Sequence, residues 1–256
     1  MKLLLTVLIT FLTLSTTFAQ PMITDRPDVT ESSSTVVRKS VQVETGMVYE
    51  SDKYRQGGTD IETGTFNFAT TLVRIGLTKR LEFRAGSEFT QISEEPKGLL
   101  DGNNGLNGLY VGAKYQLRDS RGGKSEMAIV FGANLPVGNQ DIAPSKVQPM
   151  AILALSSTLS RHFSLGYNIG GEVLNGDEVN FLYSSSLGIG LTDLLGAFVE
   201  LYGNKEKNKD PNLLFDTGLT FLLTRKFQLD ASTGFALAED APDWFINFGF
   251  SFRLFR

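Results

Sequence analysis

One histidine, no cysteine and a scatter of carboxylates set the chemistry open to this chain. Proton transfer near neutral pH ordinarily falls to histidine, and the candidate, His162, stands between Arg161 and Phe163 in what reads as a tight turn. That is the setting of an ordinary turn residue rather than a general base. The absence of cysteine removes disulfides, thiolate metal sites and cysteine nucleophiles together. Asp101, Asp141, Asp177, Asp210, Asp240 and Asp243 fall in different connections, without the dense oxygen spacing of a calcium loop. The net charge of −4 comes with no basic stripe, so phosphate contacts and nucleic acid are set aside. The expectation is a protein that is not an enzyme and uses no metal or cofactor.

The remaining charged residues are more informative because they alternate with apolar ones. Glu44, Glu82, Arg84, Glu88, Lys114, Glu126, Glu172, Glu200, Asp216, Asp230 and Arg253 lie on or near the polar phase of period-two segments. An Arg or Lys turned toward lipid near the bilayer midplane would cost roughly 2–4 kcal/mol, so these side chains should face an interior. There they either line a solute path or brace the interior as mutual ion pairs, and their interleaved signs favour bracing. A further charged cluster, Asp25-Arg26-Pro27-Asp28, precedes the alternating region. It reads either as a plug entering that interior from the periplasmic side, with Arg26 meeting a lining carboxylate such as Glu82 and Asp28 a lining cation such as Arg84, or as a disordered leader.

The elements that must position these residues are strands. Trp244, Ile246, Phe248, Phe250, Phe252 and Leu254 share one face of a ribbon, with Asn247, Gly249, Ser251 and Arg253 on the other; a helix would scatter them. The same alternation predicts strands near 40–50, 64–77, 81–92, 106–117, 125–135, 148–159, 163–173, 179–191, 195–203, 212–223, 227–236 and 244–255. The segments 64–77 and 148–159 are apolar on both faces or change phase, which suggests a bulge or a register other than the one read here. Four tight turns repeat one formula, as in Leu77-Thr78-Lys79-Arg80-Leu81 and Leu223-Thr224-Arg225-Lys226-Phe227. They alternate with Gly-, Pro-, Asn- and Asp-rich stretches such as 51–62, 93–105 and 136–147. Short turns alternating with long loops, and an even strand count, predict an all-β transmembrane antiparallel barrel of about 12 strands, with short periplasmic turns and longer extracellular loops. Closure follows because lipid cannot satisfy a free sheet edge.

Three segments follow. Residues 1–19 read as a signal peptide, with Lys2, an apolar run from Leu3 to Leu14 and Thr17-Phe18-Ala19 before the cleavage point. Residues 20–39 are a polar, periplasmic or lumen-plugging segment, and 40–256 form the barrel. Phe248 to Phe255 resembles the aromatic terminal strand that barrel-insertion machinery recognises, with Arg256 as a departure.

The lead segment Ile23-Thr24-Asp25-Arg26-Pro27-Asp28-Val29-Thr30-Glu31-Ser32, the strand Val41-Gln42-Val43-Glu44-Thr45-Gly46 and the hairpin from Arg74 to Arg84 give the chain its likeness to a known family. It resembles a bacterial outer-membrane family described as transporters of the phenol-degradation meta-pathway type. The resemblance implies a channel for small molecules, apolar or aromatic ones among them, in the outer membrane of a Gram-negative cell, with outer-membrane lipid as its surroundings. It leaves the solute unidentified. The alternative is a closed structural or adhesive barrel that binds partners through its extracellular loops.

Overall fold

The computed structural model describes residues 22–56, 59–94, 102–120, 124–207, 209–238 and 242–255. The expected signal peptide, Gln20 and Arg256 lie outside the described residues. The strands are β1 (Val41–Gln56), β2 (Thr59–Gly76), β3 (Leu81–Glu94), β4 (Asn103–Arg118), β5 (Ser125–Gly138), β6 (Gln148–Thr158), β7 (Phe163–Leu174), β8 (Glu178–Gly190), β9 (Leu195–Glu206), β10 (Asn212–Thr224), β11 (Phe227–Ala236) and β12 (Trp244–Leu254). Each pairs antiparallel with its sequence neighbours, and β1 closes on β12 from Val41 opposite Leu254 to Ser51 opposite Trp244. The twelve-stranded closed barrel is the one expected from the alternation, and its wall has no unpaired edge.

Burial is inverted relative to a water-soluble fold. Along β12, Trp244, Ile246, Phe248, Phe250 and Leu254 are exposed, whereas Phe245, Asn247, Ser251 and Arg253 between them are buried. The most deeply buried large side chains are charged or amide-bearing: Arg74, Lys114, Gln42, Glu44 and Glu82. A continuous exposed apolar belt with charges inside is unstable in water. It matches a barrel wall whose outer face meets hydrocarbon. The interior also holds a small apolar cluster of Leu214 and Phe245 with Val48, Tyr202 and Ala236.

The connections do not sort into two length classes as the sequence suggested. At the end that carries the start of β1 and the finish of β12, hereafter the terminal end, they are 77–80, 119–124, 159–162, 191–194 and 225–226. At the far end they are 57–58, 95–102, 139–147, 175–177, 207–211 and 237–243. The stretch 51–62, read as a long loop, is instead the continued β1–β2 hairpin: Asp52 pairs with Thr63, and Lys53 opposite Glu62 forms an ion pair at 3.2 Å. These strands run beyond any apolar belt, so the greasy half of their alternation disappears while backbone pairing continues.

The irregularity expected in 64–77 is a bulge. Pairing of β2 with β3 steps from Phe68 opposite Phe89 to Thr71 opposite Ser87, and Ala69 has φ 52°. The extra residue turns Phe66 and Phe68 outward on one side of the bulge and Leu72 and Arg74 inward on the other. The 148–159 strand runs in uninterrupted register with both neighbours, from Gln148 to Ser157 along β5 and from Met150 to Thr158 along β7.

Candidate functional site

Residues 22–36 run inside the barrel, and 37–40 turn at its terminal mouth into β1. Asp25 N donates to Glu44 on β1 at 2.9 Å, and Val36 N to Glu82 on β3 at 2.6 Å. Across the lumen, Val29 N and Thr30 N both donate to Glu200 on β9 at 2.7 Å, and Glu31 N to Asn168 on β7 at 2.7 Å. Arg26 reaches Asp230 on β11 at 3.0 Å and Asn247 on β12 at 2.7 Å. Ser33 meets Ser156 on β6, and Ser34 donates to Glu126 on β5 at 2.7 Å. A segment touching strands on opposite sides of a closed wall can only occupy the lumen. Glu44, Glu82, Glu126, Ser156 and Asp230 sit toward the terminal ends of their strands, Asn168 and Glu200 near mid-strand and Asn247 in the far half of β12, so the segment fills the terminal side of the barrel and reaches its middle.

Its firmest grip is a cluster of three cations and four carboxylates. Arg74 Nη1 lies 2.9 Å from Asp25 and 2.8 Å from Glu44, and its Nε lies 2.9 Å from Glu82. Arg84 takes Glu31 with both guanidinium nitrogens at 2.6 Å. Lys114 Nζ sits 2.9 Å from both Asp25 and Glu31 and donates to the Ser32 carbonyl at 2.8 Å. Bidentate Arg–carboxylate pairs fix geometry as well as charge. Burial alone would raise the Asp25 carboxyl, but Arg74, Lys114 and Arg84 outweigh it and hold the group well below the usual carboxylate range.

The other end of the segment is built differently. Asp28 has Ser186 as hydrogen-bond partner and faces Glu200; burial first, then that neighbouring carboxylate, pushes its carboxyl well above the ordinary value. Asp216 on β10 stands opposite Glu200, and its Oδ1 has no hydrogen-bond partner among the described residues. Between the two ends, the Arg26 guanidinium lies over Gly46 and Gly249, which oppose each other across β1 and β12. A side chain on Gly249 would occupy the space of that guanidinium.

Arg26 meets a lining carboxylate as the sequence suggested, though not the one given as its example, and Asp28 meets no lining cation. Arg26 meets Asp230 rather than Glu82, because Arg74 already occupies both Glu82 oxygens, at 2.9 and 3.1 Å. Asp28 does not meet Arg84, whose fork is filled by Glu31. Of the other residues expected inside, Glu88 accepts from Asn107 at 2.8 Å and Glu172 from Asn180 at 2.9 Å, both above the segment toward the far end. Arg253 is buried near the terminal end, where its Nη2 approaches the Arg225 carbonyl at 3.4 Å. His162 is exposed in the β6–β7 connection, its Nδ1 3.0 Å from the Gly190 carbonyl. Arg74 and Glu31, central to the cluster, do not stand out in the sequence; the inward phase of Arg74 becomes readable only once the bulge at Ala69 is placed.

Space remains on both sides of the segment. On the terminal side a cavity of about 430 Å³ is lined by Ser33, Ser34, Glu126, Ser156 and Gln228 among others. On the far side one of about 500 Å³ is bordered by Arg26, Glu44, Glu88, Tyr110 and Gln148, and a separate one of about 380 Å³ lies over Val29.

Residues 24–254 match a family model described as "Putative MetA-pathway of phenol degradation". The chain belongs to that family. No curated protein sequence matches it. Among solved structures, this family member is similar to the COG4313 outer membrane channel from Pseudomonas putida F1, at 14% identity and a TM-score of 0.66, covering 86% of this chain and 96% of that one. It is also similar to the KdgM porin, at 10% identity and a TM-score of 0.54, covering 85% and 99%. The translocator domain of the autotransporter NalP from Neisseria meningitidis follows at 12% identity and a TM-score of 0.51, covering 84% and 89%. At these identities the likeness is one of fold: the family member is built as an outer-membrane barrel.

Proposed function

We propose that the protein is an outer-membrane channel for small molecules, held narrow by its own N-terminal segment. The observation that carries this reading is the way the segment sits in the lumen. It bonds to the wall through side chains, while each wall strand is paired along its length with two other strands. Displacing residues 22–36 would therefore leave every wall ladder intact and join the cavities now separated. Orientation follows from the terminal end facing the periplasm, which puts the segment at the periplasmic side and the two upper cavities toward the outside. The family description and the exposed apolar belt support the same reading, with apolar or aromatic molecules among the solutes.

Liposome swelling with the purified barrel tests it. Small solutes should enter liposomes carrying the full-length protein, and a variant lacking residues 22–36 should admit larger ones faster. If neither protein admits any solute, the lumen is sealed and the closed structural or adhesive barrel is the better description.

A further inference from the structure

The cavity over Val29 differs in character from the rest of the lumen. Inward positions of a water-filled barrel are normally polar, yet Ile152 on β6, Leu182 on β8, and Tyr202 and Leu214 on β9 and β10 converge there. The floor is Val29 of the N-terminal segment, an aliphatic side chain left 52% exposed inside the barrel. Its position is fixed, because Val29 N and Thr30 N are both held by Glu200. The volume of about 380 Å³ is at the small end of ligand pockets. Such a pocket takes a single ring and not an oligomer.

Its polar groups narrow the class further. No Lys or Arg is among the described lining residues, and Glu172 stands at the rim. Asn204 Nδ2 donates to Asn180 Oδ1 and Asn180 Nδ2 to Glu172 Oε1, both at 2.9 Å, so the carboxylate is oriented. Its Oε2 and the Tyr202 hydroxyl carry no hydrogen bond among the described residues. With Glu172 at the cavity and no cation in its described lining, nothing there offsets the charge of an organic anion. We propose that this cavity binds a small uncharged ring compound bearing one hydrogen-bond donor, with the ring against Val29, Ile152, Leu182 and Leu214 and the donor turned to Glu172 or Tyr202. The proposal rests on the reading of the lumen as a solute path.

Saturation-transfer NMR on the detergent-solubilised full-length protein tests binding without requiring transport. Phenol is the probe, because it is a ring with one donor, and benzoate is the same ring with a negative charge. Phenol should bind at least tenfold more tightly than benzoate. Leu214→Trp, which fills the cavity, should weaken phenol at least tenfold. Val29→Asp, on the segment and outside the wall, should do the same even if the wall variant fails to fold. Equal binding of benzoate, or phenol binding unchanged by Val29→Asp, overturns the site. Loss of phenol binding with swelling intact condemns the site alone, whereas phenol bound by a barrel that admits no solute condemns the transport reading.

Discussion

Replacing Asp25 by Asn keeps the side-chain volume and removes one negative charge from the cluster that holds the N-terminal segment. Asp25 takes Lys114 at 2.9 and 3.0 Å, Arg74 at 2.9 Å and Arg84 at 3.2 Å, and accepts from Ser32 N at 3.0 Å. The wall contributes three cations, Arg74, Arg84 and Lys114, against Glu44 and Glu82, a balance of 3 − 2 = +1. The docked segment adds Asp25 and Glu31 and brings it to −1. Removing one partner of a buried ion pair costs roughly 3–5 kcal/mol. Glu31 still neutralises part of the wall charge, so the lower figure of about 3 kcal/mol applies, or about 100-fold in the docking equilibrium at 1.4 kcal/mol per decade. The chain has no cysteine, so Ser33→Cys gives a single label site inside the lumen. Its reaction with a membrane-impermeant maleimide reports the undocked population when redocking is fast. The Asp25→Asn form should react about 100-fold faster than the Ser33→Cys parent, with unchanged heat-modifiable migration on a denaturing gel. A rate within twofold of the parent in a folded barrel would refute the claim that these ion pairs hold the segment.

The same label reads three further changes. The raised Asp28 carboxyl means docking takes up a proton, so docking weakens as pH rises through the ordinary value of 3.8 toward the raised one. The lowered Asp25 carboxyl works in the opposite sense, its contribution present above 3.8 and lost as pH falls below it. Labelling of proteoliposomes, divided at each pH by that of the unfolded Ser33→Cys protein to remove the thiol's own ionisation, should therefore pass through a minimum with pH, and Asp28→Asn should flatten only the high-pH arm; an unaltered high-pH arm removes Asp28 as its cause. Gly249→Val should push Arg26 from Asp230 and Asn247 and speed labelling about tenfold. Added to Arg26→Met it should give no further increase, and full additivity would show that the clash acts elsewhere. Phe248→Arg, on the exposed face near the middle of β12, should lower folding stability in lipid by about 2–4 kcal/mol in urea titrations read by gel shift. An unchanged midpoint would mean that this face does not meet hydrocarbon.

The wall was legible in the sequence because it separates two environments at every residue. The six outward apolar residues of β12 and the mostly polar ones between them are a direct record of hydrocarbon on one side and lumen on the other, and twelve such records give the strand number. Loop lengths were not legible, because the record stops where hydrocarbon stops: Asp52, Lys53, Glu62 and Thr63 pair across β1 and β2 with no greasy face to betray them. The inward residues Glu44, Glu82, Arg84 and Lys114 could be placed by phase alone. Their partners could not. Asp25 lies 49 residues before Arg74 and 89 before Lys114, and only the curvature that sets β1, β2, β3 and β4 side by side around one wall brings them to the same carboxylate. Arg74 was hidden further by the bulge at Ala69, which reverses the phase midway along β2.

The character of the segment's hold bears on how the lumen could change state. Of its side chains only Met22, Pro27 and Val36 are both apolar and buried, so undocking exposes little hydrophobic surface; its contacts are otherwise ion pairs and hydrogen bonds, which water entering the lumen can replace. An apolar plug would be held by an effect that salt and pH barely alter, whereas a polar one answers to protonation and to ionic strength. The wall it leaves would also be divided. Arg74, Arg84 and Lys114 would line β2 to β4 with Glu44 and Glu82 among them, a balance of +1, and Glu200, Asp216 and Asp230 would line β9 to β11 across from them, with the Val29 cavity losing its floor. An uncharged molecule crosses such a transverse field with little penalty, and an ion of either sign is drawn to one wall. A lumen divided in this way therefore favours neutral solutes by the arrangement of its charge as much as by its width.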